Sequence, residues 1–530
     1  LYFNEKETFK GLITTALKLM EIRKHFVPEK KLFDDRKFFL NITFIPDTNS
    51  VISFNLKGAN EILEDLSKAP LTNEDTLRLS TMKEINRMLK KENNKGCFSK
   101  ELFLNCITNA QNRSPLFIIY KIINPQSFFN LGHIWVHNYN YSGVIKTIER
   151  ENFSIKEYIL SLLYQYFPPG LTFSASFNFL FGRHNCEWKT ESDNFIISLD
   201  NFGDDYEQLA RLMTRELYYS GKKDLQIDVY PFLFEGKDTL IFNLMTEVCD
   251  GGLSNYIAPV LQENRPAVLL ERDFYHFKKT VSSILENKNR KQIDSLINTG
   301  LDRRFLFYTM GRQMCYSMDK VLGRASLKDA LILGPVYFFR SYIDAYELDN
   351  KIIRDVFQFY SDFEKKVAEM NEKNPSDIFS EMIALKLLLP DSTKLPGKIE
   401  KLSRKYADRK DSYIFNLLSA QLLYERGFYD LSALYFTKAF PYLPDKDRSA
   451  KIMGYRYHSA GANDLALHLF DKFVEVSPWS IDARMTRGKL LFEMKNYDKA
   501  MVDFEIALKK DPKSDKAKEY IQEIKKIKGL

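Results

Sequence analysis

Apolar residues recur every three to four positions over 6–26, 58–67, 73–91 and 98–110, which predicts helices there. Residues 38–44 and 51–56 alternate instead, and their spacing predicts a β-hairpin. Further on, 155–167 carries one apolar stripe and is stopped by Pro168, Pro169 and Gly170. Strand-like runs follow at 171–180 and 194–200. A long amphipathic helix then runs from Asp204 to Ser220, with Gly221 placed as its C-cap. Residues 351–372 and 376–409 are helical by period, with breaks expected at Pro375, Pro390 and Pro396. The pattern as a whole predicts a mainly α protein with a small β-sheet (α+β).

The clearest signal is a repeat near the C-terminus. With Pro444, Pro478 and Pro512 in register, every 34 residues bring a small residue (Ala420, Gly454, Gly488), a second one (Ser432, Ala466, Ala500) and a phenylalanine (Phe436, Phe470, Phe504). Ala439, Phe473 and Ala507 also fall into line. Two helices approach closely where one carries a small residue and the other a ring to fill the gap, and the proline ends each pair. This resembles the tetratricopeptide repeat over three units, about 413–446, 447–480 and 481–514, so the fold expected there is an α-solenoid of helical hairpins. Residues 516–528, rich in Lys and Glu, read as its capping helix. The first helices would turn Gln421, Tyr424, Arg448, Lys451, Tyr455, His458, Met485, Lys489 and Phe492 inward. Aromatics mixed with cations suit an extended or acidic peptide of a protein partner. The alternative is that the repeats pack against the chain's own N-terminal part.

Composition narrows the class. The chain has 530 residues, room for several domains, and 77 Lys and Arg against 70 Asp and Glu leave a net charge of +7. Spread over this length, that is far from a nucleic-acid-binding field. The five cysteines (Cys97, Cys106, Cys186, Cys249, Cys315) are odd in number with no CxxC pair, which argues against a disulfide framework or a zinc module. No run of 18 apolar residues occurs, so no membrane span is expected, while attachment to a membrane complex through a partner stays open. The sequence starts at Leu1, not Met, and any targeting segment is out of sight.

Few short motifs carry chemistry. His133 and His137 are four apart, but Ile134-Trp135-Val136 between them prefers strand, where i and i+4 lie about 13 Å apart. His184 and Cys186 form an isolated pair in a loop, a weak metal signal. No phosphate-binding GxxxxGK[ST] loop and no GxSxG elbow occurs. The basic runs at 286–291 and 522–527 read as solvated helix faces, and the Asn-x-Ser/Thr triplets at Asn41, Asn112, Asn140 and Asn152 are too short to weigh.

A strand, a turn, a long helix and a second helix about 30 residues on form the layout of zincin metallopeptidases. There the first helix carries H-E-x-x-H, two metal-binding histidines one turn apart with a glutamate that polarises water, and the next helix supplies a third ligand. Here the first helix reads Leu212-Met213-Thr214-Arg215-Glu216-Leu217-Tyr218-Tyr219-Ser220, and the second Asp250-Gly251-Gly252-Leu253-Ser254-Asn255-Tyr256-Ile257. From about Gly170 to Tyr346 the frame resembles a bacterial family of zinc-dependent peptidases. The strand ending Ile197-Ser198-Leu199-Asp200 and the stretch from Gly323 to Phe339 add to the likeness. Carried over, the ligand positions fall on Arg215, Tyr219 and Gly251 and the general base on Glu216, so only Glu216 matches.

The departures decide the expected function. Arginine stays protonated and offers no lone pair. A phenol with pKa near ~10 binds zinc poorly at neutral pH, and glycine offers no side chain. Asp250 is one residue away, which turns a helical side chain by about 100°. The resemblance therefore implies a pseudopeptidase with no metal and no cofactor, whose Arg215 either fills the vacated volume or points to solvent. Domains are expected at 1–350 (zincin-like, with an N-terminal α+β extension), 351–412 (helical linker) and 413–530 (repeats and cap). The function expected is a non-enzymatic scaffold or adaptor in a protein assembly. The alternatives are an active peptidase using Glu247 or Asp250 with His184, and a dead cleft that still holds peptides. Relatives of this kind imply an exported, periplasmic or cell-surface bacterial protein.

Overall fold

The computed structural model describes residues 49–67, 72–82, 137–168, 170–181, 187–189, 193–259, 266–301, 306–349, 353–388 and 392–529, together with Leu40 and Ile134. The expected helices 6–26 and 98–110, His133, His184 and Cys186 lie outside them, as do all but Leu40 of the strand expected over 38–44. The chain forms two compact units. One holds 1–223 with 257–263, the other 224–256 with 264–530.

The first unit is built on a four-stranded sheet of β1 (Val51–Asn55), β2 (Ser174–Leu180), β3 (Glu187–Lys189) and β4 (Asn194–Ser198), in the order β1-β2-β4-β3. With its expected hairpin partner 38–44 outside the described residues apart from Leu40, strand β1 is seen with one neighbour, β2. It runs parallel to β2, with Phe54 opposite Phe177, and β2 runs parallel to β4, with Phe177 opposite Phe195. Of the described strands, only the short β3 is antiparallel to its neighbour. A parallel pair needs a long crossover, and here it is supplied by the stretch that carries α1 (Lys57–Ser67), α2 (Asn73–Thr81), α3 (Asn138–Arg150) and α4 (Asn152–Leu163). His137 stands at the N-terminal boundary of α3 rather than in a strand. Strands β2 and β4 are buried nearly end to end, as apolar parallel strands are, and Phe177 stacks on Phe195 at 5.0 Å. One polar residue this leaves inside, Asn178, accepts from Asn55 Nδ2 (2.9 Å) and donates to Phe195 O (3.3 Å).

Helix α5 (Tyr206–Leu225) packs against the residues that lead into β2. Gly221 does not cap it but sits inside it. A Cβ there would lie 2.4 Å from Phe173 and 3.1 Å from Phe167, so glycine allows close packing rather than a stop. One residue earlier, Ser220 Oγ is hydrogen-bonded to Asp193 Oδ1 (2.6 Å), which fixes α5 to the turn before β4.

The second unit begins with the short helix α6 (Tyr230–Leu233) and α7 (Gly236–Ile257), then α8 (Ala267–Leu285), α9 (Arg290–Leu301), α10 (Leu306–Val321), α11 (Arg324–Leu333) and α12 (Pro335–Leu348). Its core is aromatic: Phe277 contacts Phe307, Phe339, Phe359 and Phe363, with ring centroids 5.6–6.0 Å apart. Helices α13 (Ser361–Asn371), α14 (Ser376–Leu388) and α15 (Leu395–Tyr406) follow, with Pro396 tolerated in the first turn of α15.

Three successive helix pairs come next: α16 (Ser412–Glu425) with α17 (Tyr429–Ala439), α18 (Lys446–Ser459) with α19 (Asn463–Val476), and α20 (Ile481–Glu493) with α21 (Tyr497–Lys510). Helix α22 (Asp515–Lys528) closes the last pair. The small-residue and ring positions meet as their spacing predicts: a Cβ on Gly454 would lie 2.3 Å from Phe470, and one on Gly488 2.8 Å from Phe504. The backbone keeps the 34-residue register as well, with positive φ at Gly427 (80°), Gly461 (78°) and Lys495 (61°) in the three turns. The fold is mainly helical with one small sheet. Among the described residues no helix is long and apolar enough to cross a membrane.

Candidate functional site

Helix α5, in the first unit, carries three of the four positions that the zincin likeness singles out. Arg215 and Tyr219 are one turn apart and share a stripe with Lys222, so the helix has the spacing a two-histidine motif needs. The chemistry on that stripe is different. The Arg215 side chain is only 14% exposed, and its Nε lies 3.9 Å from Glu216 Oε1, the long end of an ion pair. It is therefore not a solvent-facing arginine. Glu216 is itself buried. Tyr219 stands edge-on to Tyr218 at 5.3 Å, and the fully buried Tyr218 packs edge-on to Phe167 at 5.8 Å. Lys222, one turn beyond Tyr219, is buried too, a cation that sequence reading passed over.

The N-terminal half of the helix is anchored by Arg211. It donates to Glu207 Oε1 (2.7 Å) and to Pro259 O (3.1 Å), while Tyr158 donates to Glu207 (3.3 Å). Burial pushes the Tyr158 phenol above its ordinary pKa, partly offset by Arg211. The group is an anchoring network, and its tyrosine stays protonated.

Helix α7, in the second unit, carries the fourth position. Gly251 has no side chain, and the space one would need is taken: a Cβ there would fall 1.9 Å from Cδ1 and 2.4 Å from Cγ of Tyr308 on α10. Tyr308 Oη donates to Glu247 Oε2 at 3.4 Å. The next residue brings the two helices closer still. A Cβ on Gly252 would lie 2.5 Å from the Gly311 carbonyl carbon, and one on Gly311 2.0 Å from Val248 O. Tyr256 donates to Asp319 Oδ2 (2.6 Å), and Asn255 Nδ2 donates to Gly251 O (2.7 Å). This stretch of α7 is a helix-crossing surface. Tyr308 and Gly311 escaped the sequence reading, although the glycine pair at 251–252 signalled a close backbone approach.

The donor set does not suit zinc. The positions that the zincin likeness singles out carry a guanidinium and a phenol on α5 and a bare α-carbon on α7, beside which the Tyr308 ring takes the space of a side chain. Among the described residues no group of three or more His, Cys, Asp or Glu side chains is arranged to hold a metal ion. The two described cysteines, Cys249 and Cys315, are buried free thiols, and burial raises Cys315 well above the ordinary thiol pKa, which makes it a poor nucleophile.

The residues expected on the inner face of the repeats divide into three groups. Gln421, Tyr424 and Arg448 are engaged within the chain: Gln421 accepts from Arg456, Tyr424 Oη donates to Arg456 O (2.9 Å), and Arg448 reaches Thr239 (3.5 Å). Met485 is buried in the core of the last pair, and Phe492 packs on Tyr497 and Tyr520 at 5.5 and 5.3 Å, so both serve packing. Lys451, Tyr455, His458 and Lys489 remain at or near the surface. Lys451 pairs with Asp482 (2.5 Å), Tyr455 meets Thr486 (3.4 Å) and is 43% exposed, and His458 lies 3.3 Å from Glu493.

Residues 76–351, just over half of the chain, match a family described as "Putative zinc dependent peptidase (DUF5700)". No curated protein matches the chain.

Proposed function

The chain belongs to that peptidase family, and from this premise we propose that it is a degenerate member, without the metal and without the reaction, that serves as a protein scaffold. One observation carries the reading. The Tyr308 ring occupies the volume that a side chain at Gly251 would enter, so the third ligand is missing and its space is built over. Arg215 supports the same reading, since a largely buried guanidinium beside Glu216 puts positive charge where a dication would have to bind. In this reading Arg215 takes over the electrostatic part that zinc has in an active relative, and Glu216 is a vestige of the base.

The helix pairs 412–510 are read as three tetratricopeptide repeats, because the 34-residue register holds in sequence, in the glycine–phenylalanine contacts and in the positive-φ turns. Their open face, around Lys451, Tyr455, His458 and Lys489, would receive a protein partner. The competing reading, a peptidase with unusual ligands, draws its support from the family description.

Hydrolysis separates the two. Purified protein is assayed on quenched fluorescent peptide mixtures with added zinc, beside Glu216→Gln. The expected result is no zinc-dependent turnover and no difference between the two proteins. Turnover that is lost on Glu216→Gln would establish an active peptidase.

A further inference from the structure

The segment that joins α5 to α7 lies under the first two helix pairs. Lys386 Nζ donates to Gln226 O (2.7 Å), Asp228 pairs with Arg456 Nη2 (2.8 Å), and the Phe232 ring lies 5.2 Å under the Arg456 guanidinium and 5.8 Å from Phe436. Ile227, Val229 and Phe232 are buried, so the segment itself is fixed. Its one carboxylate at Arg456 is not: the Asp228 side chain is 58% exposed, against 20% for Arg456. Gln421 accepts from the other guanidinium nitrogen, and Lys386 and Gln421 both engage Glu425 (2.9 and 3.1 Å). Arg456 is thus held in place from beneath by a ring and from the side by an amide, while the acid it carries is reached by solvent. A cation oriented before binding loses little entropy when it meets an anion.

We propose that Arg456 is the recognition point for an acidic, extended segment of a protein partner, and that Asp228 is the chain's own ligand, displaced when the partner's carboxylate arrives. This rests on reading the repeats as a partner-binding face. The neighbouring chemistry agrees, for Lys451 on the same helix also seats a carboxylate, that of Asp482. The exchange moves one exposed side chain and leaves the buried residues of the segment where they are.

The test uses the full chain and a fluorescein-labelled hexaglutamate peptide, with anisotropy read at low salt, where a charge pair is least screened. Asp228→Asn is expected to bind about fivefold to tenfold tighter than the parent, and Arg456→Gln at least tenfold weaker than Asp228→Asn. Hydrogen exchange over 446–459 checks that both variants keep the helix. If Asp228→Asn binds no tighter, the competition is overturned. If binding survives Arg456→Gln but falls with Lys451→Ala and Lys489→Ala, the repeats remain a binding face and the assignment to Arg456 is overturned. If no variant binds the peptide, the acidic partner and the binding face fail together.

Discussion

Gly251→Glu, the substitution that would return an acid to the third ligand position, is expected to destabilise the protein by about 3 kcal/mol or more and to create no metal ligand. The reason is steric. The first atom of any side chain at 251 lands inside the Tyr308 ring, 1.9, 2.4 and 2.5 Å from three of its carbons. The two helices cannot simply move apart to make room, because α7 and α10 are held backbone to backbone at Gly252 and Gly311. Urea unfolding read as a shift of midpoint at unchanged slope measures the loss. Adding Tyr308→Ala to Gly251→Glu should recover more than half of it, since the clash is then gone. A single variant as stable as the parent would mean that the ring is not where the account needs it.

Asp503→Ala is the second large effect, expected to cost about 3–5 kcal/mol. Asp503 is fully buried and takes three charged hydrogen bonds, one from Arg484 Nη1 (2.9 Å) and two from Arg487 (2.7 Å each). Arg487 also reaches Asp471 (2.8 Å), so the network joins the second helix pair to the third. Hydrogen bonding to the Asp503 carboxylate holds Arg487 above its ordinary pKa against the opposing effect of burial. Removing the carboxylate takes the shared buried acid from two arginines whose side chains are only 15% and 20% exposed, leaving Arg487 with Asp471 and Arg484 with Pro478 O. Asp503→Asn keeps the shape and loses the charge, and should fall between alanine and the parent. A loss below about 1 kcal/mol for Asp503→Ala, measured in the same way, would show that the arginines find other partners or water.

The two variants probe parts of the molecule that differ in how far the sequence reveals them. The repeat is legible because its information is local and periodic. Pro444, Pro478 and Pro512 set the register, and Gly454 with Phe470 or Gly488 with Phe504 are close in sequence as well as in space. The strand over 51–55 was legible as a strand but not in its pairing, since alternation says nothing about a partner more than a hundred residues away. Gly221 shows the same limit. A glycine near the end of a helical period reads as a cap, and only the position of Phe173 reveals that it is there for packing.

At the candidate site the proposed loss of donors is read from the sequence, because Arg215, Tyr219 and Gly251 can be judged by their chemistry alone. What replaced them is a tertiary fact. Nothing near Gly251 in the sequence points to Tyr308, some 57 residues on, and nothing near Arg448 points to Arg456 as the residue that grips Asp228. The inner face of the repeats was also overcounted. Helical phase places Met485 and Phe492 on it, yet α22 and the last pair cover both.

In the proposed reading, this member of the peptidase family has a use for its frame other than hydrolysis. Element analysis by inductively coupled plasma mass spectrometry on protein purified without chelator, then dialysed against trace zinc, tests this most directly. The account predicts far less than one zinc per chain, and a stoichiometric ion that survives dialysis would contradict it.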